Sequence, residues 1–376
     1  MRLLHTADWH LGKTLRGQPL LDDQRVIINE IFQVINAEKP DAVIIAGDIY
    51  DRAVPPAEAV NFFDETLNRF VEKKLPVLII AGNHDSATRL NFGSKIFAQQ
   101  KIFIASKVET EPATVVLEDD FGEIYFSLIP FFDTGDIREV FHVDSSERMN
   151  FNDANRIYVD AARQQIPAGK RSVAVAHAFI SGTEKTESVR DIVGCVDGIS
   201  GEIFSGYDYV ALGHLHSPRS AGKNLRYSGS PLKYSFDEAD HEKGVTIVDI
   251  DGAGNVTTEI IPLKPCHNVR IVKGTVDELK KLPRTEDYIC ARITKREINA
   301  QAKLENIFPN LLKVEFILDE NSSDDGTEKI SYREGGSKLD YFADFFKTQT
   351  GTMLSDEYRT AMSDLLAKIA RDDREA

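Results

Sequence analysis

Asp41-Ala-Val-Ile-Ile-Ala-Gly-Asp-Ile-Tyr-Asp51 carries five small or branched apolar residues in a row and then turns abruptly polar at a glycine and an aspartate. An uninterrupted apolar run of that length reads as a strand buried on both faces, as in a parallel sheet covered by helices. The polar residues that follow it fall at the carboxyl end of the strand, where α/β sheets present their chemistry.

The same pattern recurs along the chain. Arg2 to Leu4, Val77 to Ala81, Ile124 to Ile129, Val173 to Ala176 and Tyr209 to Leu212 are further strand-like runs, and Gly244 to Asp251 is another. Between them, Asp23 to Glu38 spaces Val26, Ile27, Ile31, Phe32 and Ile35 as a helix would, with Pro40 ending the pattern. Pro55 and Pro56 open a second helix running toward Lys73, and Tyr227-Ser-Gly-Ser-Pro231 has the composition of a tight turn. Strands alternating with helices over residues 1–264 predict an α/β layered domain.

After Pro262 and Pro265 the pattern predicts a small α+β cap over 265–318: strands at Asn268 to Val272, Tyr288 to Ile293 and Leu312 to Ile317, helices at Val276 to Lys281 and Asn299 to Ile307. The polar run Asp319 to Lys329 predicts a flexible linker, assigned to 319–337. Two helices are expected over 338–376, one with the stripe Leu339, Phe342, Phe345 and Phe346, the other with Tyr358, Ala361, Met362, Leu365 and Ile369. Helices this short are marginal alone, so they dock on their own domain or on another chain.

The bulk numbers exclude several classes. With 376 residues the chain exceeds most single cores, while 42% hydrophobic and 28% charged residues describe a globular protein rather than a disordered one. No apolar run approaches the roughly 18 residues of a membrane span, and no signal-peptide pattern opens the sequence, so a cytoplasmic protein is expected. Cys195, Cys266 and Cys290 form neither a CxxC knuckle nor a disulfide framework. A net charge of −15 opposes binding to a polyanion, so a nucleic-acid role would need bound divalent cations, a local basic patch or a basic partner.

Five motifs carry the chemistry: Asp8-Trp9-His10, Gly47-Asp48, Gly82-Asn83-His84-Asp85, His177, and Gly213-His214-Leu215-His216. Each follows an apolar run. Five of the nine histidines fall in them, which a random scatter would not produce. Carboxylate oxygen together with imidazole nitrogen, and no cysteine, suits a catalytic pair of Mn, Fe or Zn ions rather than a structural zinc. A bridging carboxylate is needed to hold two cations roughly 3.5 to 4 Å apart, and Asp48 is the candidate. Asp8, His10 and His216 would complete one ion, Asn83, His177 and His214 the other. His84, next to a ligand, is placed to reach a phosphate as an acid, with Asp51 to orient it. Gly47, Gly82 and Gly213 would allow sharp turns that present the next side chain. His5, His142, His241 and His267 read as structural or surface residues.

The order Asp-x-His, Gly-Asp, Gly-Asn-His-Asp, His, Gly-His-x-His resembles the calcineurin-like metallophosphoesterase superfamily. Within it, His5-Thr-Ala-Asp-Trp-His-Leu-Gly12, Ala46-Gly-Asp-Ile-Tyr-Asp-Arg52, Tyr227-Ser-Gly-Ser-Pro231 and Ser235-Phe-Asp-Glu238 are similar to the SbcD nuclease family, bacterial relatives of the Mre nucleases. The resemblance is strong over residues 1–264 and extends to the cap and tail by layout. It implies a layered α/β sandwich and a nuclease using two Mn2+ ions. The expected activities are 3′ to 5′ exonuclease on double strands and endonuclease on single strands and hairpins, in DNA repair, recombination and replication. It also implies a homodimer within a heterotetramer, an SbcC-type coiled-coil ATPase as partner bound by the C-terminal helices, and a cap that positions DNA. Some archaeal relatives carry histidine where this chain has Asp51. Two other functions fit part of the pattern: a protein or cyclic-nucleotide phosphoesterase with the same metal core, and a non-enzymatic adaptor, which would be expected to have lost ligands.

Overall fold

The computed structural model describes residues 1–144, 146, 148–183, 198–317, 337–350 and 352–375, in two compact units, Met1–Ile317 and Leu318–Ala376. The linker expected over 319–337, but for Ser337, and Cys195 lie outside the described residues.

The first unit is built on two six-stranded sheets laid face to face. One runs Val256–Pro262, Gly244–Ile250, Arg2–Thr6, Ala42–Ala46, Val77–Ile80, Ile102–Ala105, with its last four strands parallel and the first two added antiparallel. The other runs Arg219–Gly222, Leu225–Tyr227, Tyr209–Gly213, Arg171–His177, Gly122–Ile129, Thr114–Asp119, parallel in its four central strands.

The continuous apolar runs are explained by this layering. Alternate residues of each strand point to opposite faces. Leu3, Ile44 and Leu78 enter the core between the sheets with Phe126, Val175 and Ala211, while Leu4, Val43 and Ile79 face the outer helices with Ile31, Phe32 and Phe70. On the far side, Ala174, Ala176 and Leu212 pack against Phe151, Tyr158 and Val159. Both faces being buried, the alternation a half-exposed strand would show is absent.

The helix expected from Asp23 spans Leu21–Glu38, with Lys39 in the left-handed region at φ 49° just before Pro40. Its buried stripe is Ile27, Ile28, Ile31, Phe32 and Ile35, whereas Val26 is exposed. The expected stripe is out of phase at Val26: one residue turns 100° around a helix, so Val26 and Ile28 exchange faces. The second helix, Ala57–Lys73, follows Pro55 and Pro56 as expected, with Pro56 at its N-cap.

Val269–Gly274, Tyr288–Ile293 and Leu311–Phe316 form a three-stranded sheet whose strands are all parallel. Short helices at Val276–Leu279 and Ala300–Leu304 make the crossovers and cover one face with Leu279, Ala300, Leu304 and Phe308. From the opposite face Val269, Tyr288 and Cys290 join the core of the larger domain. In the second unit, helices Lys338–Thr350 and Asp356–Glu375 meet through Phe346 and Tyr358, ring centroids 6.4 Å apart. Among the described residues no helix is long and apolar enough to cross a membrane.

Arg171 ties the second sheet together. Its guanidinium makes a bidentate contact with Asp119 at 2.9 and 2.5 Å and reaches the Gly122 carbonyl at 2.8 Å. That hydrogen bonding outweighs burial and holds the Asp119 carboxyl well below the usual range. A depressed carboxylate contributes stability above its unfolded pKa, about 3.9, and loses it as pH falls toward the folded value. Arg171 and Asp119 are only 7% and 11% exposed, and the amino terminus also pairs with Asp119 at 2.7 Å. Asp119→Asn, which leaves a buried guanidinium without its counter-charge, is therefore expected to cost about 3–5 kcal/mol at neutral pH. In urea unfolding the difference from wild type should shrink below about pH 4.

Candidate metal centre

The five motifs come from the carboxyl ends of five strands, three in one sheet and two in the other. Their loops are stitched together by the main chain, with Asp8 N–H donating to the Gly47 carbonyl at 3.0 Å and His10 N–H to that of Asp48 at 2.9 Å. Gln24, buried in the first helix, donates to the carbonyls of Trp9 and His10 at 3.1 and 2.7 Å and accepts from Gly12 N–H at 2.9 Å.

Four site residues that are not glycine, Asp8, His10, Asp48 and His214, hold positive φ, at 54°, 45°, 51° and 102°. Such conformations cost of order 1–3 kcal/mol each and persist only where the surroundings enforce them. The glycines act in two ways. Gly47 makes the expected turn at φ +88°, but at Gly82 and Gly213 the constraint is close approach: a Cβ on Gly82 would strike the Asp48 carboxylate, and one on Gly213 the Ala46 carbonyl.

Asp48 lies at the centre. Its Oδ2 is 3.6 Å from His10 Nε2 and 3.4 Å from His177 Nε2, while Oδ1 accepts the His84 N–H at 2.8 Å. One carboxylate oxygen thus faces ring nitrogens from both sheets. On one side His10 Nε2 stands 3.0 Å from His216 Nε2. On the other, the Asn83 Oδ1 is 3.0 Å from His177 Nε2 and 2.9 Å from His214 Nδ1. Asp8 accepts the His214 N–H at 2.9 Å and lies 3.9 Å from His177. All seven residues named from the sequence as ligands are therefore gathered in one place.

The donor set fits divalent cations. Asp8 and Asp48 are buried carboxylates, and among the described residues neither has a lysine or arginine ion pair. Burial would lower the His177 pKa, but Asp48 and Asp8 outweigh it and lift it to about 9, so without a cation a proton offsets the carboxylate charge. Burial pushes His10 well below its usual value and His214 down to about 3, which favours neutral imidazoles at both positions. Burial opposes ionising Asp48 as well, yet the neighbouring His177 holds it well below the carboxylate range. Asp8, where burial dominates, is raised.

Ring orientation is set from behind. His177 Nδ1 donates to the Ala46 carbonyl at 2.9 Å, which turns Nε2 toward Asp48. His216 Nδ1 meets Glu238 Oε1 at 2.9 Å, and Lys243 Nζ bonds Glu238 Oε2 at 2.5 Å and the His216 carbonyl at 2.6 Å. Burial works against charging Glu238, but Lys243 and His216 hold it well below the carboxylate range. The sequence motifs assign no role to Glu238, although Ser235-Phe-Asp-Glu238 is among them. Nor do they assign one to Asp85, which accepts the N–H groups of Gly82, Ile49 and Tyr50 at 2.9, 3.1 and 2.9 Å and so clamps two site loops together. Burial and the Asp48 carboxylate push Asp85 up to about 7.

His84 lies at the edge of this group. Its Nδ1 bonds the Asp51 backbone carbonyl at 2.7 Å, whereas the Asp51 side chain pairs with Lys13 at 2.6 Å. Asp51 thus orients His84 through its main chain, a contact any residue type can make. Of the histidines outside the motifs, His5 is buried against the Tyr209 hydroxyl at 2.9 Å and His142 ends a helix in the left-handed region.

Residues 1–218 match the family described as calcineurin-like phosphoesterase. The chain is 30% identical to the SbcD subunit of the nuclease SbcCD of Staphylococcus epidermidis, over 98% of this chain and 99% of that protein. It is 32% identical to the SbcD subunit of the same nuclease in Staphylococcus saprophyticus, over 83% of this chain and 84% of the relative. A solved structure of TT1561 from Thermus thermophilus aligns with a TM-score of 0.40 and 10% identity, over 69% of this chain and 98% of that one.

Glu238→Gln keeps the side-chain shape but removes the charge that fixes His216. It is expected to weaken divalent-ion binding by about 10–100-fold, read by calorimetric titration, with a melting transition that remains cooperative.

Proposed function

Because this chain belongs to the calcineurin-like phosphoesterases and, within them, to the SbcD nucleases, we propose that it is a manganese-dependent DNA nuclease. It acts as a 3′ to 5′ exonuclease on double strands and an endonuclease on single strands and hairpins, in the cytoplasm, with an SbcC-type ATPase. The observation that carries this reading is the Asp48 oxygen, 3.6 and 3.4 Å from ring nitrogens of the two sheets, which suits it to bridge two cations.

Asp8, His10 and His216 would hold one ion, Asn83, His177 and His214 the other, with Asp48 shared. Two bound divalent cations supply Lewis acidity toward a phosphate oxygen and an attacking water. Asn83, an amide among anionic and imidazole ligands, limits the negative charge a phosphodiester must approach. His84 donates from Nδ1 to the Asp51 carbonyl, which leaves Nε2 to hold a proton toward the leaving oxygen.

The remaining parts serve substrate and partners. The three-stranded unit is the DNA-positioning cap. In the second unit Phe345, Tyr358 and Leu365 are each at least half exposed, which supports a role in holding a coiled-coil ATPase. Such a partner also offers a way past the −15 charge. Val60, Phe63, Leu67, Leu90 and Phe97 line an apolar groove of about 600 Å3 beside Phe92, which is 84% exposed; this face supports self-association into a dimer.

With Mn2+, the purified chain should degrade labelled duplex and hairpin DNA, and chelation should abolish the activity; hydrolysis of small phosphoesters with DNA left intact would overturn the reading. His84→Gln is expected to retain metal and lose about 10²–10⁴ in rate, Asp48→Ala to lose both, and Asp51→Ala to keep most activity because the carbonyl remains. Phe92→Asp should convert a dimer to a monomer in light scattering while leaving metal content unchanged.

A further inference from the structure

A second group of side chains of metal-ligating type lies where the large domain meets the three-stranded unit. Asp23 comes from the first turn of the Leu21–Glu38 helix, and Cys266 and His267 from the segment leading into Val269–Gly274. Cys266 Sγ is 3.0 Å from Asp23 Oδ1 and 3.4 Å from His267 Nδ1, and His267 Nδ1 is 2.8 Å from Asp23 Oδ1. Three different donor types, contributed by residues more than 240 positions apart, therefore converge on one point.

Asp23 is 4% exposed, and the ion pair the structure gives it is with His267 rather than with any lysine or arginine among the described residues. Its second oxygen accepts the Tyr288 hydroxyl at 2.7 Å. Apart from His267, the side-chain partners of this buried carboxylate are the neutral donors Cys266 and Tyr288. Beside it opens a cavity of about 370 Å3, lined also by His241 and Tyr288, which gives an ion and a water access.

We propose that Asp23, Cys266 and His267 form a zinc site that pins the three-stranded unit to the first helix. Sulfur, nitrogen and carboxylate oxygen together are a borderline-soft set that selects zinc over manganese or magnesium. Zinc bonds of about 2.0–2.3 Å in tetrahedral geometry place donor atoms roughly 3.3–3.6 Å apart, so the group needs to open by only about 0.5 Å or less to admit the ion. Three protein ligands leave the fourth position to water from the cavity.

The test uses the full chain, stripped with chelator and titrated with Co2+. Thiolate ligation produces a near-ultraviolet sulfur-to-cobalt charge-transfer band, and the nuclease centre contains no sulfur, so the band reports this site independently of any nuclease activity. The expected result is a band in wild type and in Cys195→Ser and Cys290→Ser, bleached by excess Zn2+, absent in Cys266→Ser and at least about tenfold weaker in cobalt affinity in Asp23→Asn. No band in wild type, or an undiminished band in Cys266→Ser or Asp23→Asn, overturns the proposal. Cys266 is exposed, so its replacement should leave the melting curve of the metal-free chain unchanged, and Asp23→Asn gives a reading that keeps the thiol.

Discussion

Asp8 and Asp48 are buried together, and among the described residues neither has a lysine or arginine ion pair. Two like charges out of water repel each other and each pays for lost hydration. The chain tolerates this arrangement because imidazoles surround both carboxylates and because the donor atoms face inward, ready to share positive charge from cations. Much of the local structure follows from that constraint. The backbone takes positive φ at Asp8, His10, Asp48 and His214, and Gly82 and Gly213 let neighbouring loops approach within contact of their main chain.

Holding such a group requires rigidity on every side. Gln24 fastens the first loop, Asp85 joins the second to the third, and Glu238 with Lys243 anchors the last histidine. The segment Tyr227-Ser-Gly-Ser-Pro231 belongs to the same support. Tyr227 is buried and bonds the main chain just after His177, and Ser230 N–H donates to the His216 carbonyl at 3.2 Å. These residues touch neither ion nor substrate in the proposed chemistry. They orient the candidate ligands, and orientation from behind tunes metal affinity.

The two-sheet architecture suits this task because carboxyl-end loops from facing sheets approach from opposite sides. A single sheet would present its loops in a row, whereas here one Asp48 oxygen meets His10 from its own sheet and His177 from the other. The apolar layers behind the site make the frame stiff. The three-stranded unit shares a core with the first helix through Val269, Tyr288 and Cys290, so its position is coupled to the helix that carries Gln24.

The amino-acid sequence by itself determined the layered α/β class, the positions of the central strands and of the first two helices, and the residue types of the seven candidate ligands, since apolar runs and ligand chemistry are local properties of residue type. The helix Phe151–Gln164 and the edge strand Val256–Pro262 were not legible in it. Tertiary structure decided the rest. Only the pairing of strands showed that the ligands come from two facing sheets, because a parallel strand carries no local mark of its neighbours. Glu238 and Asp85 sit inside legible motifs, but an acidic residue reads alike as ligand, clamp or surface group until its partners are placed. Asp51 invites a role for its side chain when its carbonyl makes the contact, a distinction that residue type cannot carry. His267 looks structural and Cys266 isolated for the same reason: Asp23, the third member of their group, is more than 240 residues away in the chain, and only folding brings it within hydrogen-bonding distance.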